Sequence, residues 1–313
     1  MNTKLVDFDI LLDEAFVNIC LEPTINPIDK SSLLSVVNGF ENGKWRMNVF
    51  RNFVFNNLAE TGLSAREREA LADNRYEFLV AAAQKLRIDK TINDNSGGEI
   101  GEIMLYGIMR HHFNALPVVP KIFYKQNAND YAKGADSVHI TLNNNGDFEL
   151  WLGESKFYNN IEDARFAVPI ASVEEMLSSK KLRDENSLIT NLQELDVLLK
   201  DDVLCKKIRA SLDKNVSLDD IKRRLHIPIL LLHECNITKA TTIYDQAYRN
   251  AIIAHHKERA NAYFKKQFAK LSKSVTLLDE IHFHLILFPV PNKADIVKDY
   301  MDRAQKLQAD GNN

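Results

Sequence analysis

Cysteine is scarce in this chain: Cys20, Cys205 and Cys235 are the only three among 313 residues. None forms a CxxC pair, which excludes a zinc ribbon and a disulfide scaffold and leaves buried thiols in a reducing compartment. Glycine is sparse too, with eleven in all, and no loop of the Walker or dinucleotide type exists. Gly97-Gly-Glu-Ile-Gly101 lacks the required lysine and spacing, so ATP hydrolysis by this chain is not expected. No apolar run approaches the roughly 18 residues of a membrane span, and no signal peptide is recognisable. A soluble, cytoplasmic protein without membrane contact is the expectation. Charge of one sign is also missing, since the net charge is only −3, and no global basic field advertises nucleic acid.

The charge is nevertheless uneven. Lys206 to Lys273 holds fifteen Lys and Arg against six Asp and Glu, which leaves the remainder acidic. Lys222-Arg223-Arg224 precedes a strand-like run, and Lys257, Arg259, Lys265, Lys266 and Lys270 follow on a helix-like one. These side chains could line a phosphate track, or they could be solvated helix faces.

The stretch richest in chemistry runs from Gly134-Ala-Asp136-Ser to Leu152-Gly-Glu154-Ser-Lys156-Phe-Tyr158. On a strand, side chains two apart share a face, so Glu154 and Lys156 project together while Ser155 points away. Asp136 opens the preceding strand-like run, and Asn143-Asn-Asn-Gly146 suits a hairpin connector between the two. Two carboxylates and an ammonium at one spot fit metal-dependent phosphodiester cleavage, the carboxylates holding a hard divalent cation. A Glu-x-Lys triplet also arises by chance on the order of once in such a chain. Spacing alone therefore fits a surface hairpin facing water equally well.

Upstream, Asn93-Asp-Asn-Ser-Gly-Gly98 is rich in turn residues, and Glu99 to Phe113 carries an apolar stripe at helical spacing. Glu99 and Glu102 lie three apart on that helix and are further candidate carboxylates, although acids in a first turn also complement the helix dipole. Downstream, Ile161 to about Leu199 is helix-like, with Ser172-Val-Glu-Glu175 resembling a capping box. Ile227 to Cys235 and Ile281 to Pro289 read as strands, separated by a long helix from Thr242 to about Lys270 and followed by another from Lys293 to Gln308. Asp220-Ile-Lys222 mimics half of the acid-x-lysine signature but follows Ser217 at a capped helix start. His111-His112, His255-His256 and His282/His284 fit no helical ligand set. The alternation predicts an α/β fold, a mixed central sheet flanked by helices. Residues 1–90, with helices over Asn48–Leu58 and Ala65–Leu86 and a capping box at Ser64-Ala-Arg-Glu67, are expected to be a mostly helical region packed on a core of residues 91–313.

The order helix, three-strand meander, Asp136 and Glu154-Ser-Lys156 resembles the restriction-endonuclease-like core of the PD-(D/E)xK nucleases. The pairing of Gly134-Ala-Asp136-Ser with Leu152-Gly-Glu154-Ser-Lys156-Phe-Tyr158, with Ile227-Pro-Ile-Leu-Leu-Leu and Phe283-His-Leu-Ile-Leu-Phe-Pro289, is similar to the effector subunits of Hachiman anti-phage defence systems. That likeness spans about residues 10 to 290.

The resemblance implies a DNA nuclease dependent on Mg²⁺ or Mn²⁺ and restrained by a superfamily 2 helicase partner. It implies Asp136 and Glu154 as metal ligands with the main-chain carbonyl of Ser155, Glu102 or Glu99 completing the shell, and Lys156 at the scissile phosphate or the attacking water. Tyr158, sharing the face of Lys156, would touch backbone phosphate. A module of the same fold that binds DNA or the helicase without cutting is the alternative, and an adaptor with no nucleic-acid contact a third.

Overall fold

The computed structural model describes residues 4–87, 97–125, 134–143, 147–191 and 193–311. Its centre is an eight-stranded mixed sheet, and the chain begins by building one edge of it. Strands β1 (Lys4–Leu5), β2 (Phe8–Ala15) and β3 (Ser31–Val37) form an antiparallel run. Phe8 and Ile10 of β2 are buried on one face, an irregularity between Ile10 and Leu12 sends Leu12 into the opposite apolar layer, and β3 is buried on both faces. A small ribbon of β4 (Phe40–Glu41) and β5 (Lys44–Trp45) leads to α1 (Met47–Gly62), α2 (Ala65–Ala70) and α3 (Arg75–Ala83).

Next come α4 (Gly98–His111), β6 (Leu116–Val119), α5 (Lys121–Lys125), β7 (Ser137–Leu142) and β8 (Phe148–Tyr158). Five helices follow: α6 (Ala167–Met176), α7 (Ser179–Asn191), α8 (Glu194–Leu199), α9 (Asp202–Ser211) and α10 (Leu218–Lys222). The chain then returns through β9 (Leu225–Glu234), α11 (Asn236–Ala240), the 26-residue α12 (Gln246–Leu271), β10 (His282–Val290) and α13 (Lys293–Asp310).

The sheet order is β1-β2-β3-β10-β9-β8-β7-β6. Its four central strands run parallel, and both flanks are antiparallel. Strands buried on both faces need apolar side chains on both, which explains the unbroken run Ile227-Pro-Ile-Leu-Leu-Leu of β9. One apolar layer, with α1, α4 and α13, covers the face of Trp151, Phe157, Leu230 and Phe288. The other, with α6, α9 and α12, covers the face of Leu150, Leu152, Ile229 and Leu285.

The α/β class with a mixed sheet is as the alternation of elements indicated. Within residues 1–90 α1 is helical as expected, and the Ser64/Glu67 capping box is present in both of its bonds. The single helix expected over Ala65–Leu86 is instead two, α2 and α3, because the chain leaves the helix at Leu71 and Asn74 caps a new one. The first forty residues instead supply three strands, with β3 pairing β10 from the far end of the chain. Position 90, where the two regions were divided, lies outside the described residues, as do 93–96 of the upstream turn and 144–146 of the hairpin connector. Ser172 caps no helix, because α6 starts five residues earlier and carries it in its interior.

Candidate active site

The hairpin of β7 and β8 sets the geometry. Ser137 pairs with Gly153, so Asp136, one residue before β7, stands opposite Glu154. Its N–H donates to the Gly153 carbonyl at 2.8 Å, and its Oδ2 accepts from the Ser155 N–H at 3.0 Å and the Ser155 hydroxyl at 3.2 Å. Glu154 is 3% exposed, and the Lys156 ammonium bonds directly to its carboxylate. The same ammonium donates to the Ser155 carbonyl at 3.2 Å. Asp136 is thus bonded to Ser155, and Lys156 to both Glu154 and the Ser155 carbonyl, with the Asp136 charge bearing on Glu154 and Lys156.

Why the strand is irregular here follows from two residues. Pro228 of β9 has no N–H to give the ladder, and the β8–β9 pairs skip from Trp151–His226 to Glu154–Ile229. Beside that gap a Cβ on Gly153 would lie 2.2 Å from Ser137 Oγ and 2.7 Å from Leu105 Cδ2. Only glycine lets β7, β9 and α4 close around this point.

Burial pushes the Glu154 carboxyl up to about 7, and the neighbouring Asp136 charge adds to the rise. Lys156 and the Ser172 hydroxyl pull it back. Burial draws the Lys156 ammonium down, but the charges of Glu154 and Asp136 outweigh it, and the net shift is upward. The group is a hard-oxygen cluster in which, among the described residues, the Lys156 ammonium meets the Glu154 carboxylate.

That ammonium tests the fit of a divalent cation. It touches a Glu154 carboxylate oxygen and the Ser155 carbonyl, two of the ligands the resemblance implies, and the charge of a third, Asp136, bears on it. Carboxylate and carbonyl oxygens are the donors Mg²⁺ and Mn²⁺ take. Among the described residues, no three His, Cys, Asp or Glu side chains converge as a metal-holding group. The oxygens present fit such a cation in kind, with main-chain oxygen making up the set.

The helical acids stand differently. Gly101 of α4 packs on Ser155, so α4 covers the side of β8 opposite Glu154 and Lys156. Glu99 accepts from the Arg87 N–H at 2.9 Å and the Tyr300 hydroxyl at 3.4 Å. Glu102 is buried on the same helix, and its charge bears on Tyr106 and Tyr300. Glu99 thus engages the Arg87 backbone and Tyr300, and Glu102 lies with α4 on the face of the sheet that Ser155 presents.

The basic candidates are also dispersed. Lys222 is buried, with its ammonium bonded to the Thr276 carbonyl and hydroxyl. Arg223 faces water beside Asp220 at 3.4 Å. Arg224 binds Asp147 at 3.1 Å and lies over the Phe148 ring. Leu225 pairs with Leu150, so this group sits four residues down the sheet from Glu154, roughly 13 Å at about 3.3 Å per residue. On α12, Arg259 and Lys266 pair with Asp163, Lys265 with Glu22 and Lys270 with Glu174. Asp220-Ile-Lys222 lies in the short α10 behind its Ser217 cap, as read from the sequence.

Tyr158 is half-buried beside this site, and its hydroxyl has no hydrogen-bond partner among the described residues. Two neighbours had no signal in the sequence. The Ser172 hydroxyl, in the interior of α6, acts on Glu154 to lower its carboxyl. The Tyr263 hydroxyl on α12 is buried without a partner among the described residues, and the Glu154 charge bears on it. A tyrosine on the apolar stripe of a long helix reads as core until the sheet beneath it is known.

Fold and site together define an α/β protein whose mixed sheet sets an aspartate across from a Glu-x-Lys strand. The HamA family model matches residues 14–304, from within β2 to within α13. The chain therefore belongs to the HamA family, the HamA subunit of Hachiman defence, and its role lies in that system. No curated protein matches it significantly. Among the described residues no helix is long and apolar enough to cross a membrane.

Proposed function

We propose that this chain is a divalent-metal-dependent deoxyribonuclease of the PD-(D/E)xK type, the effector of its Hachiman system, held in check by a superfamily 2 helicase partner. One observation carries the reading: Asp136 opposite Glu154, with Lys156 lodged between the Glu154 carboxylate and the Ser155 carbonyl. Asp136, Glu154 and the Ser155 carbonyl would hold Mg²⁺ or Mn²⁺. A cation so bound supplies Lewis-acid polarisation of a phosphoryl oxygen and an acidified water.

The chain's own groups do the rest. Lys156, which in this structure bonds Glu154 and the Ser155 carbonyl, would be the donor facing a phosphate oxygen of the substrate. Ser172 favours the charged form of Glu154, and the Ser155 N–H and hydroxyl hold Asp136. Burial excludes bulk water from Glu154 and strengthens each of these interactions.

A second reading, a module that binds DNA or the helicase without cutting, is favoured by the absence, among the described residues, of a third converging ligand side chain. Plasmid degradation separates the two. The nuclease reading expects Mg²⁺- or Mn²⁺-dependent loss of DNA that Glu154→Ala and Lys156→Ala each abolish, with the fold retained. Equal degradation by both variants and the parent refutes it, and a partner-supplemented assay with no cleavage by the parent supports the binding module.

A further inference from the structure

A second buried polar group lies behind Asp136, and nothing in the reaction proposed above uses it. The Lys121 ammonium donates to both oxygens of Glu185, at 2.8 and 2.9 Å. Lys121 is fully buried and Glu185 is 2% exposed. A buried ion pair is poor evidence for stability, because desolvating both charges cancels much of their attraction. This pair, however, has a third member. Glu185 Oε1 also accepts the Ala135 N–H at 2.9 Å.

The consequence falls on the next residue. Ala135 and Asp136 are tied by successive N–H groups, the first to Glu185 and the second to the Gly153 carbonyl at 2.8 Å. Those two bonds fix the peptide that aims the Asp136 side chain at the Ser155 N–H. The same contact explains Gly134, where a Cβ would lie 2.1 Å from Glu185 Oε1. Any side chain there displaces the carboxylate. Lys121 is anchored in turn, its N–H donating to the Tyr106 hydroxyl at 3.2 Å.

We propose that Glu185, oriented by Lys121, is the positioning residue that holds Asp136 opposite Glu154 and thereby sets divalent-cation affinity at that site. The cation clause rests on the nuclease reading above; the positioning of Asp136 does not. Glu185 touches neither substrate nor metal and acts through the backbone of residue 135.

Two double variants isolate the bond to Ala135. Lys121→Met with Glu185→Gln removes both charges but keeps an oxygen acceptor. Lys121→Met with Glu185→Leu removes the charges and the acceptor together. Both avoid a lone buried charge, so both are expected to fold with similar melting temperatures.

Hydrogen exchange by mass spectrometry, on the full chain without metal, reads the positioning. Exchange over 134–137 should rise in the Leu double variant and stay at the parent's level in the Gln one. Mn²⁺ titration by calorimetry reads the consequence. Affinity should fall about tenfold or more in the Leu variant, the range set by losing an outer partner of a ligand, and remain near the parent's in the Gln variant. Unchanged exchange in the Leu variant overturns the proposal, as does parental Mn²⁺ affinity there. Should the parent bind no Mn²⁺ that Asp136→Asn abolishes, the cation clause falls with the nuclease reading, and the exchange result alone decides the positioning.

Discussion

Acidification should destabilise this protein through histidines that the fold keeps neutral. His139, His233 and His284 are each pushed down to about 3 from an ordinary 6.5, in every case chiefly by burial. His226 falls to about 2 and His256 well below its ordinary value, for the same first reason. The hydrogen bonds agree with neutrality. His233 Nδ1 must donate to the Glu234 carbonyl at 3.2 Å, so its Nε2 accepts from His256, whose Nδ1 then accepts the Ser35 hydroxyl.

The sign follows from where protons bind. Above 6.5 neither state is charged and the stability is whole; below it the unfolded chain binds protons that the folded chain refuses, and stability is lost down to the folded values. Each such histidine loses about 1.4 kcal/mol per pH unit below 6.5. Between pH 7.5 and 5.5 the three at about 3 together lose about 4 kcal/mol, and His226 and His256 add to that. Glu154 works in the opposite sense. Its carboxyl, raised to about 7, takes a proton in the folded state before the unfolded chain does and offsets about 2 kcal/mol over the same range. A net loss of at least about 2 kcal/mol remains, against a typical total of about 5–15. Urea unfolding at pH 7.5, 6.5 and 5.5 reads it. A midpoint that is flat or rises on acidification refutes the argument, as does a His139→Phe variant with the parent's slope.

Other changes test individual contacts. Gly153→Ala forces a Cβ against Ser137 and Leu105 and should cost about 1–3 kcal/mol in urea unfolding. Tyr263→Phe removes a buried hydroxyl with no partner among the described residues; stability should hold or rise by about 1 kcal/mol, and a clear loss would mean that the hydroxyl is engaged. Ser172→Ala removes a hydroxyl that favours the charged Glu154 carboxylate and should cut Mg²⁺-dependent degradation about tenfold, within the range for an outer partner of a ligand, with little change in melting temperature. Arg224→Ala should lower stability by about 1 kcal/mol, through its Asp147 and Phe148 contacts, and leave the salt slope of DNA binding unchanged; a shallower slope would show that Arg224 meets phosphate.

The legible parts of this fold are local ones. Glu154 and Lys156 share a face because strand period is two, and that needs only the sequence. A turn near Asn143 to Gly146 implies the rest of the hairpin by counting: Leu142 faces Phe148, so Asp136 faces Glu154. The apolar run of β9, the long α12 and the Ser64 cap all carried their own signals. The misreadings are equally physical. Ser172-Val-Glu-Glu175 has capping-box spacing, but helix α6 had already begun at Ala167. Lys222 looked like a surface charge and is buried on Thr276. β3 lacks alternation because both of its faces are covered, and its partner β10 lies some 250 residues away.

What the sequence by itself determined is therefore the hairpin with its acid, acid and lysine, and the α/β alternation around it, since short-range spacing and periodicity suffice for both. Tertiary structure alone decided which distant groups reach that hairpin. Glu185 behind Asp136, Ser172 and Tyr263 around Glu154, and the turning of Glu99 toward Tyr300 all depend on how helices far apart in the chain lie on the sheet. Packing of that kind is a property of whole faces brought together, and no spacing within one segment encodes it.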